Sequence, residues 1–217
     1  MHKSIHNLDL VKDQIKSKFD DLKNLKIIAV SKTFPMLEIL PLIKSGHVHF
    51  GENKVQEAID KWSIVKKTNE NLKLHMIGKL QTNKVKYVIP LFDYIHSLDN
   101  IKLAEKIAIE QQKNKRNLKI FIQVNIGNEP QKNGLEVNNL KDFYKKCTDD
   151  LKLNIIGLMC IPPQSQKVSE YFKKMNELNK ILNLKELSMG MSEDYMEAIE
   201  YGATYIRIGS KIFGSRI

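Results

Sequence analysis

Lys32 follows Ile27-Ile28-Ala29-Val30-Ser31 directly. An amine at the edge of an apolar run is held partly out of water, which disfavours its charged form, and the neutral amine is the species that attacks an aldehyde. With 32 lysines in the chain, one such placement arises by chance, so position alone says little. The last residues are more specific. Ile208-Gly209-Ser210-Lys211-Ile212-Phe213-Gly214 reads as a strand end, a glycine, a hydroxyl and a short helix, and Ser188-Met189-Gly190-Met191-Ser192 supplies a second glycine and hydroxyl. Backbone N–H groups at helix starts point at anions, so Ser192, Gly209 and Ser210 are candidate phosphate ligands. Ser192 reads equally as a helix N-cap, because Glu193 and Asp194 follow it in a first turn.

Arg207, one of three arginines, lies inside the apolar run Tyr205-Ile206-Arg207-Ile208. A buried arginine needs an acceptor, which belongs either to a ligand or to an internal carboxylate such as Glu52. A lysine able to form an imine, a phosphate cradle and a strand arginine together suggest pyridoxal 5′-phosphate, which proteins hold as a lysine Schiff base with Asp or Arg at the pyridine nitrogen. Other candidates carry less. His47 and His49 share a face of one strand, but no third ligand accompanies them and no metal is expected. His75 reads more readily as a packed core histidine than as a catalyst. Lys79, Lys84 and Lys86 form a basic stretch, and Cys160 beside Pro162-Pro163 reads as structural.

The elements that must position these residues form a βα repeat. Eight candidate strands are Lys26 to Val30, His47 to Gly51, Lys73 to Gly78, Asp93 to Leu98, Lys119 to Asn125, Asn154 to Met159, Glu186 to Gly190 and Thr204 to Gly209. Helices follow them, for example over Leu98 to Gln112 and Gln164 to Leu182. Several strands are continuously apolar, as strands buried on both faces are. Eight such units close into a single (β/α)8 barrel, at about 27 residues per unit near the lower limit of that fold. The expected organisation is one domain over residues 1–217. Leu8, Val11, Ile15 and Phe19 predict an extra helix before the first strand. An open doubly wound sheet is disfavoured, since no glycine-rich loop follows the first strand.

Composition narrows the function classes. The 217 residues carry 35 basic and 25 acidic side chains, a net charge of +10. That excess is scattered lysine with almost no arginine, which reads as a solvated surface and not as a nucleic-acid interface. Two cysteines outside any CxxC spacing fit a reducing compartment. No signal-like or membrane-spanning run is apparent, so a cytoplasmic location with no membrane partner is expected.

Val30-Ser31-Lys32-Thr33, Phe50-Gly51-Glu52-Asn53-Lys54-Val55-Gln56-Glu57, His75-Met76-Ile77-Gly78-Lys79-Leu80-Gln81-Thr82-Asn83-Lys84, Leu187 to Asp194 and Arg207 to Gly214 together resemble the signature of the pyridoxal phosphate homeostasis protein family, over nearly the whole chain. The resemblance implies a barrel like the N-terminal domain of alanine racemase without its second β domain. It implies a protein that binds pyridoxal phosphate without established turnover and helps keep the cofactor and related amino-acid pools in balance. Carried over by position, Lys32 would form the Schiff base, Asn53 would lie beside the cofactor, Ser192, Gly209 and Ser210 would hold the phosphate, and Arg207 would face the pyridine nitrogen. Lys132 matches a lysine near the mouth that assists cofactor exchange, and His75 is a further accessory candidate. No catalytic residue is implied. Phe34, Lys54 and Ser210 depart from common family residues, which leaves the Schiff base intact and the mouth contacts open. The expectation is a monomeric carrier with pyridoxal-dependent apo-enzymes as recipients, and the alternative is a weak amino-acid racemase.

Overall fold

The computed structural model describes residues 1–20, 24–163 and 167–214. Eight parallel strands close into a barrel in sequence order: β1 (Lys26–Val30), β2 (His49–Glu52), β3 (Lys73–Met76), β4 (Tyr94–Leu98), β5 (Lys119–Gln123), β6 (Ile155–Met159), β7 (Glu186–Met191) and β8 (Tyr205–Ile208). All eight expected strands are present. The second starts at His49 instead of His47, because the chain is still leaving the preceding helix there: Gly46 is left-handed (φ 89°) and the His47 N–H returns to the Leu42 carbonyl at 3.0 Å.

Helices α2 (Met36–Lys44), α3 (Val55–Thr68), α4 (Val85–Leu91), α5 (Ile101–Asn114), α6 (Leu140–Lys145), α7 (Val168–Ile181) and α8 (Tyr195–Glu200) separate the strands, and α9 (Ser210–Phe213) follows β8. The helix expected from Leu98 begins only at Ile101, since the Asn100 side chain accepts the Leu103 N–H at 3.0 Å and caps it. The expected start of α7 at Gln164 lies outside the described residues.

The period-two alternation of strand side chains sorts each strand into an outer and an inner set. Ala29, Phe50, Leu74, Ile120, Leu158, Leu187 and Ile206 join the large core shared with the helices, whereas Ile28, Val30, Tyr94, Phe121, Met159 and Tyr205 form a separate cluster inside the barrel. This explains why the strands read as continuous apolar runs. The inner set also includes His75, His96, Ser188 and Arg207, all buried. His75 stacks on Tyr94 (centroids 4.1 Å apart) and His96 on Phe121 (4.3 Å), so aromatic faces and hydrogen-bonded imidazoles fill the barrel interior.

The helix expected before the first strand is α1 (Lys3–Lys16), with Leu8, Val11 and Ile15 buried. It lies across the end of the chain: the Asn7 side-chain amide donates to the Ile212 carbonyl (3.0 Å), and Tyr195 Oη donates to Gln14 Oε1 (2.6 Å). It thereby holds the short helix that carries Ser210. Among the described residues no helix is long and apolar enough to cross a membrane.

Burial keeps the inner histidines neutral. It pushes His49 down to about 4, while His75 and His96 lie well below their usual value. In the unfolded chain each titrates near 6.5. As pH falls from about 6.5 towards 4, the unfolded state takes up protons that the folded state refuses. Stability is therefore full above that window and lost within it, at up to about 1.4 kcal/mol per pH unit for each histidine. Urea unfolding between pH 7 and 4 should show this slope, and an unfolding free energy flat across the window would contradict it.

Candidate functional site

The C-terminal ends of the strands open onto a cavity of about 650 Å³. This is the end of a (β/α)8 barrel at which loops assemble sites. Lys32, Asn53, Ser192, Arg207, Gly209 and Ser210 all line it. They come from the ends of β1, β2, β7 and β8, so residues up to 178 positions apart in sequence share one wall. Phe34, Ile77, Lys79 and Gln123 contribute further lining.

Lys32 sits half-buried in a tight turn whose next residue, Thr33, is left-handed (φ 69°). A non-glycine residue in that region stores strain and needs external support. Lys61 of α3 provides it. Its ammonium donates to the Ser31 carbonyl (2.9 Å), the Phe34 carbonyl (3.3 Å) and Glu57 Oε1 (2.9 Å), and it pairs with Glu52 Oε1 (2.7 Å). The Thr33 N–H donates to the same Glu57 oxygen. Glu52, fully buried, also accepts from Ser31 Oγ (2.7 Å) and Trp62 Nε1 (3.0 Å). Glu52 is thus committed to the Lys32 turn and does not pair with Arg207, which overturns that internal-carboxylate alternative.

Asn53 is placed by a close backbone approach. A Cβ on Gly78 would stand 2.3 Å from the Asn53 carbonyl oxygen, so only glycine lets the end of β3 lie against it. Among the described residues Asn53 Oδ1 is buried with no hydrogen-bond partner, an acceptor at the cavity wall awaiting a donor.

Arg207 is 4% exposed. Its Nη1 donates to Ser188 Oγ (2.8 Å) and its Nη2 to the Cys160 carbonyl (2.9 Å). A guanidinium has five N–H donors, and two are used here. Cys160 contributes only its backbone: burial pushes its thiol up to about 12, which makes it inert, as expected of a structural cysteine.

The loops after β7 and β8 are tied together by the Lys211 N–H, which points at Ser192 Oγ at 3.5 Å. Ser192 is not the N-cap of α8. That position belongs to Asp194, whose carboxylate turns back to accept the Met191 N–H (2.6 Å) and so faces its own loop. Gly190 makes the turn possible: it is left-handed (φ 88°), and a Cβ there would lie 2.6 Å from that of Ala198. Glu193 is exposed at the cavity rim.

The two accessory candidates fall elsewhere. Lys132 does not line the cavity, although its neighbour Asn133 does; its ammonium pairs with Glu129 (2.5 Å) and donates to the Pro162 carbonyl (3.3 Å), linking the loops after β5 and β6. His75 lies inside the barrel, below the cavity. Among the described residues no three His, Cys, Asp or Glu side chains are grouped to hold a metal ion. The sequence reading missed Lys61, Glu57 and Trp62. Their i, i+4 and i, i+5 spacing on a helix after β2 gave no sign that they reach across to the β1 turn.

A lysine, an arginine and a glycine-hydroxyl pair at the mouth of a closed parallel barrel define a small-molecule binding barrel with an amine in its site. Comparison with known proteins gives the family. The model of the alanine racemase N-terminal domain matches residues 4–217. The pyridoxal phosphate homeostasis protein of Haemophilus influenzae is 36% identical over 225 residues, covering 97% of this chain and 95% of that one. The structure of PipY from Synechococcus elongatus with pyridoxal phosphate bound is 33% identical, with a TM-score of 0.82 over 93% of this chain and 97% of that one. An alanine racemase from Clostridium difficile shares the fold at 13% identity (TM-score 0.75), with 99% of this chain matching 57% of that one. The chain belongs to the alanine racemase N-terminal domain family and, within it, to the pyridoxal phosphate homeostasis proteins.

Replacing Lys61 with Met strands the fully buried Glu52 carboxylate and frees the Lys32 turn. Loss of one partner of a buried pair costs about 3–5 kcal/mol. Chemical denaturation should show a loss of that order. A Glu52→Gln, Lys61→Met double variant should be less destabilised than the sum of the two single changes. Strict additivity would mean that the two groups do not act together.

Proposed function

We propose that this protein binds pyridoxal 5′-phosphate in the cavity at the C-terminal end of the barrel and serves as a monomeric carrier of that cofactor, without turnover of its own. The observation that carries this reading is the convergence of Lys32, Asn53, Ser192, Arg207, Gly209 and Ser210 on one cavity. The donor set matches the ligand's parts. The cofactor, when bound, supplies an aldehyde, a pyridine ring and a phosphate. Lys32 offers the amine. Arg207, which donates and cannot accept, would suit an unprotonated ring nitrogen as its acceptor. Ser192, Ser210 and the first N–H groups of the turn after Gly209 offer donors to the phosphate. The orphaned Asn53 Oδ1 supplies an acceptor for a hydroxyl.

The same wall argues for holding over converting. A ring nitrogen facing a guanidinium is kept from protonation, so the ring is a weak electron sink. Racemisation needs proton carriers on both faces of a substrate. Among the described residues no His, Tyr or Cys side chain lines the cavity, and its other ionisable groups, Lys79 and Glu193, are exposed at the rim. The reading that follows is of a protein that keeps the cofactor available to pyridoxal-dependent apo-enzymes within the single domain 1–217.

Incubation with pyridoxal phosphate followed by borohydride reduction should fix one adduct per chain, and peptide mass spectrometry should place it on Lys32. The Lys32→Ala variant should lose both the adduct and the visible absorbance of the bound cofactor. An adduct distributed over surface lysines, or none, would sink the proposal. Exchange of an amino-acid α-proton above the rate with free cofactor would instead favour the weak racemase.

A further inference from the structure

Four hydrogen bonds join Arg207 to the far end of the barrel. Beyond the 2.8 Å contact of Arg207 Nη1 with Ser188 Oγ, that hydroxyl lies 2.9 Å from His96 Nδ1, His96 Nε2 lies 2.9 Å from His75 Nδ1, and His75 Nε2 lies 2.9 Å from His49 Nδ1. The chain runs from β8 through β7, crosses the interior to β4, and descends through β3 to the first residue of β2. Ser188, His75 and His96 have no solvent exposure, so these three depend on one another for their hydrogen bonds. We infer that Ser188, His96, His75 and His49 form a one-directional hydrogen-bond chain that acts as a positioning device, holding the Arg207 guanidinium as a fixed donor towards the cavity.

The direction follows from what each group can donate. Arginine has no acceptor, so Ser188 Oγ must accept from it. The hydroxyl proton then has one acceptor in reach, His96 Nδ1, since Ser188 Oγ has no other partner among the described residues. His96 accepting at Nδ1 is a neutral ring that carries its proton on Nε2 and donates to His75. His75 repeats the pattern and donates to His49, whose proton on Nε2 faces outward. The reverse order would have Ser188 accept twice and leave its own proton without a partner in a dry interior. A buried polar chain with one satisfied proton order is rigid, because no member can turn without breaking the bonds on both sides. The stacking of His75 on Tyr94 and His96 on Phe121 fixes the ring planes as well.

The consequence for the site rests on the cofactor reading above. Because the chain ends on a group that keeps its proton, the buried histidines brace the arginine and do not feed protons to the ligand. Ser188 and His96 are thus positioning residues for cofactor affinity, although neither lines the cavity.

The proton order is measurable without any ligand. Long-range ¹H–¹⁵N correlation spectra of the histidine-labelled protein at neutral pH should show His75 and His96 protonated at Nε2 and bare at Nδ1. A proton on Nδ1 of either ring, or an imidazolium, would overturn the inference. Ser188→Ala and His96→Leu should each weaken pyridoxal phosphate binding at least tenfold in an absorbance titration. His96→Asn, whose side-chain oxygen stands where Nδ1 stood, should recover part of that loss. Unchanged affinity in Ser188→Ala and His96→Leu, or no recovery in His96→Asn, would refute the positioning role. If the wild type takes up no cofactor, the functional reading fails while the tautomer spectra still test the chain.

Discussion

A closed eight-stranded barrel has no water inside to solvate what its strands turn inward, so every inward polar group must find its partner within the barrel. In this protein that constraint bears on a cation. Arg207 is buried on the inner face, and among the described residues its hydrogen-bond partners are a hydroxyl and a backbone carbonyl, while the Asp194 carboxylate acts on it through its charge alone. A guanidinium tolerates this better than an ammonium would, because its charge is delocalised and weakly hydrated. Such neighbours satisfy two of its hydrogen bonds without neutralising it. The unneutralised charge and the unused donors face the cavity, which makes this residue a ready partner for an electron-rich ligand atom.

Glu52, the carboxylate that the sequence offers as a partner for Arg207, is used elsewhere. Glu52 points out of the barrel interior, towards α3, where it gathers Ser31, Trp62 and Lys61. Lys61 in turn holds the carbonyls on either side of Lys32. Two cavity residues are therefore held by separate networks: the backbone turn of Lys32 by an ion-pair cluster between barrel and helix, and the Arg207 side chain by a neutral chain through the barrel. Separation matters electrostatically. A carboxylate shared between them would draw the arginine away from the cavity and favour the charged form of the lysine, and both effects would oppose the proposed binding of an aldehyde ligand.

The strands were legible because a parallel barrel buries both faces of each one, leaving short apolar runs at regular intervals. Boundaries shifted where side chains or glycines intervened, as at Asn100, which caps α5, and Gly46, which delays β2. The cavity residues were legible because strand ends are few and Lys32, Ser192, Arg207 and Gly209 each sit at one. The supporting residues were not. Lys61 is one lysine among 32 in the sequence, and nothing local marks it as the one whose ammonium turns inward. His49, His75 and His96 lie on three different strands, and nothing local to any of them points to the other two. Only barrel closure, which sets inward positions of adjacent strands side by side, makes them a chain.

That distinction bears on how such a barrel changes its chemistry. Exposed residues at the rim, such as Lys79 and Glu193, can vary with little effect on the fold. The inner chain cannot lose His75 or His96 alone, because removing either ring leaves a bonded partner unsatisfied on each side. A carboxylate at position 207 would make the opposite demand on the chain, because it accepts where a guanidinium donates. Such an acid would reverse the demand on Ser188, which would then have to donate to it, and with it the proton order of every histidine down to His49. The arginine and the chain behind it form one unit, and its proton order is fixed as firmly as the barrel interior that encloses it.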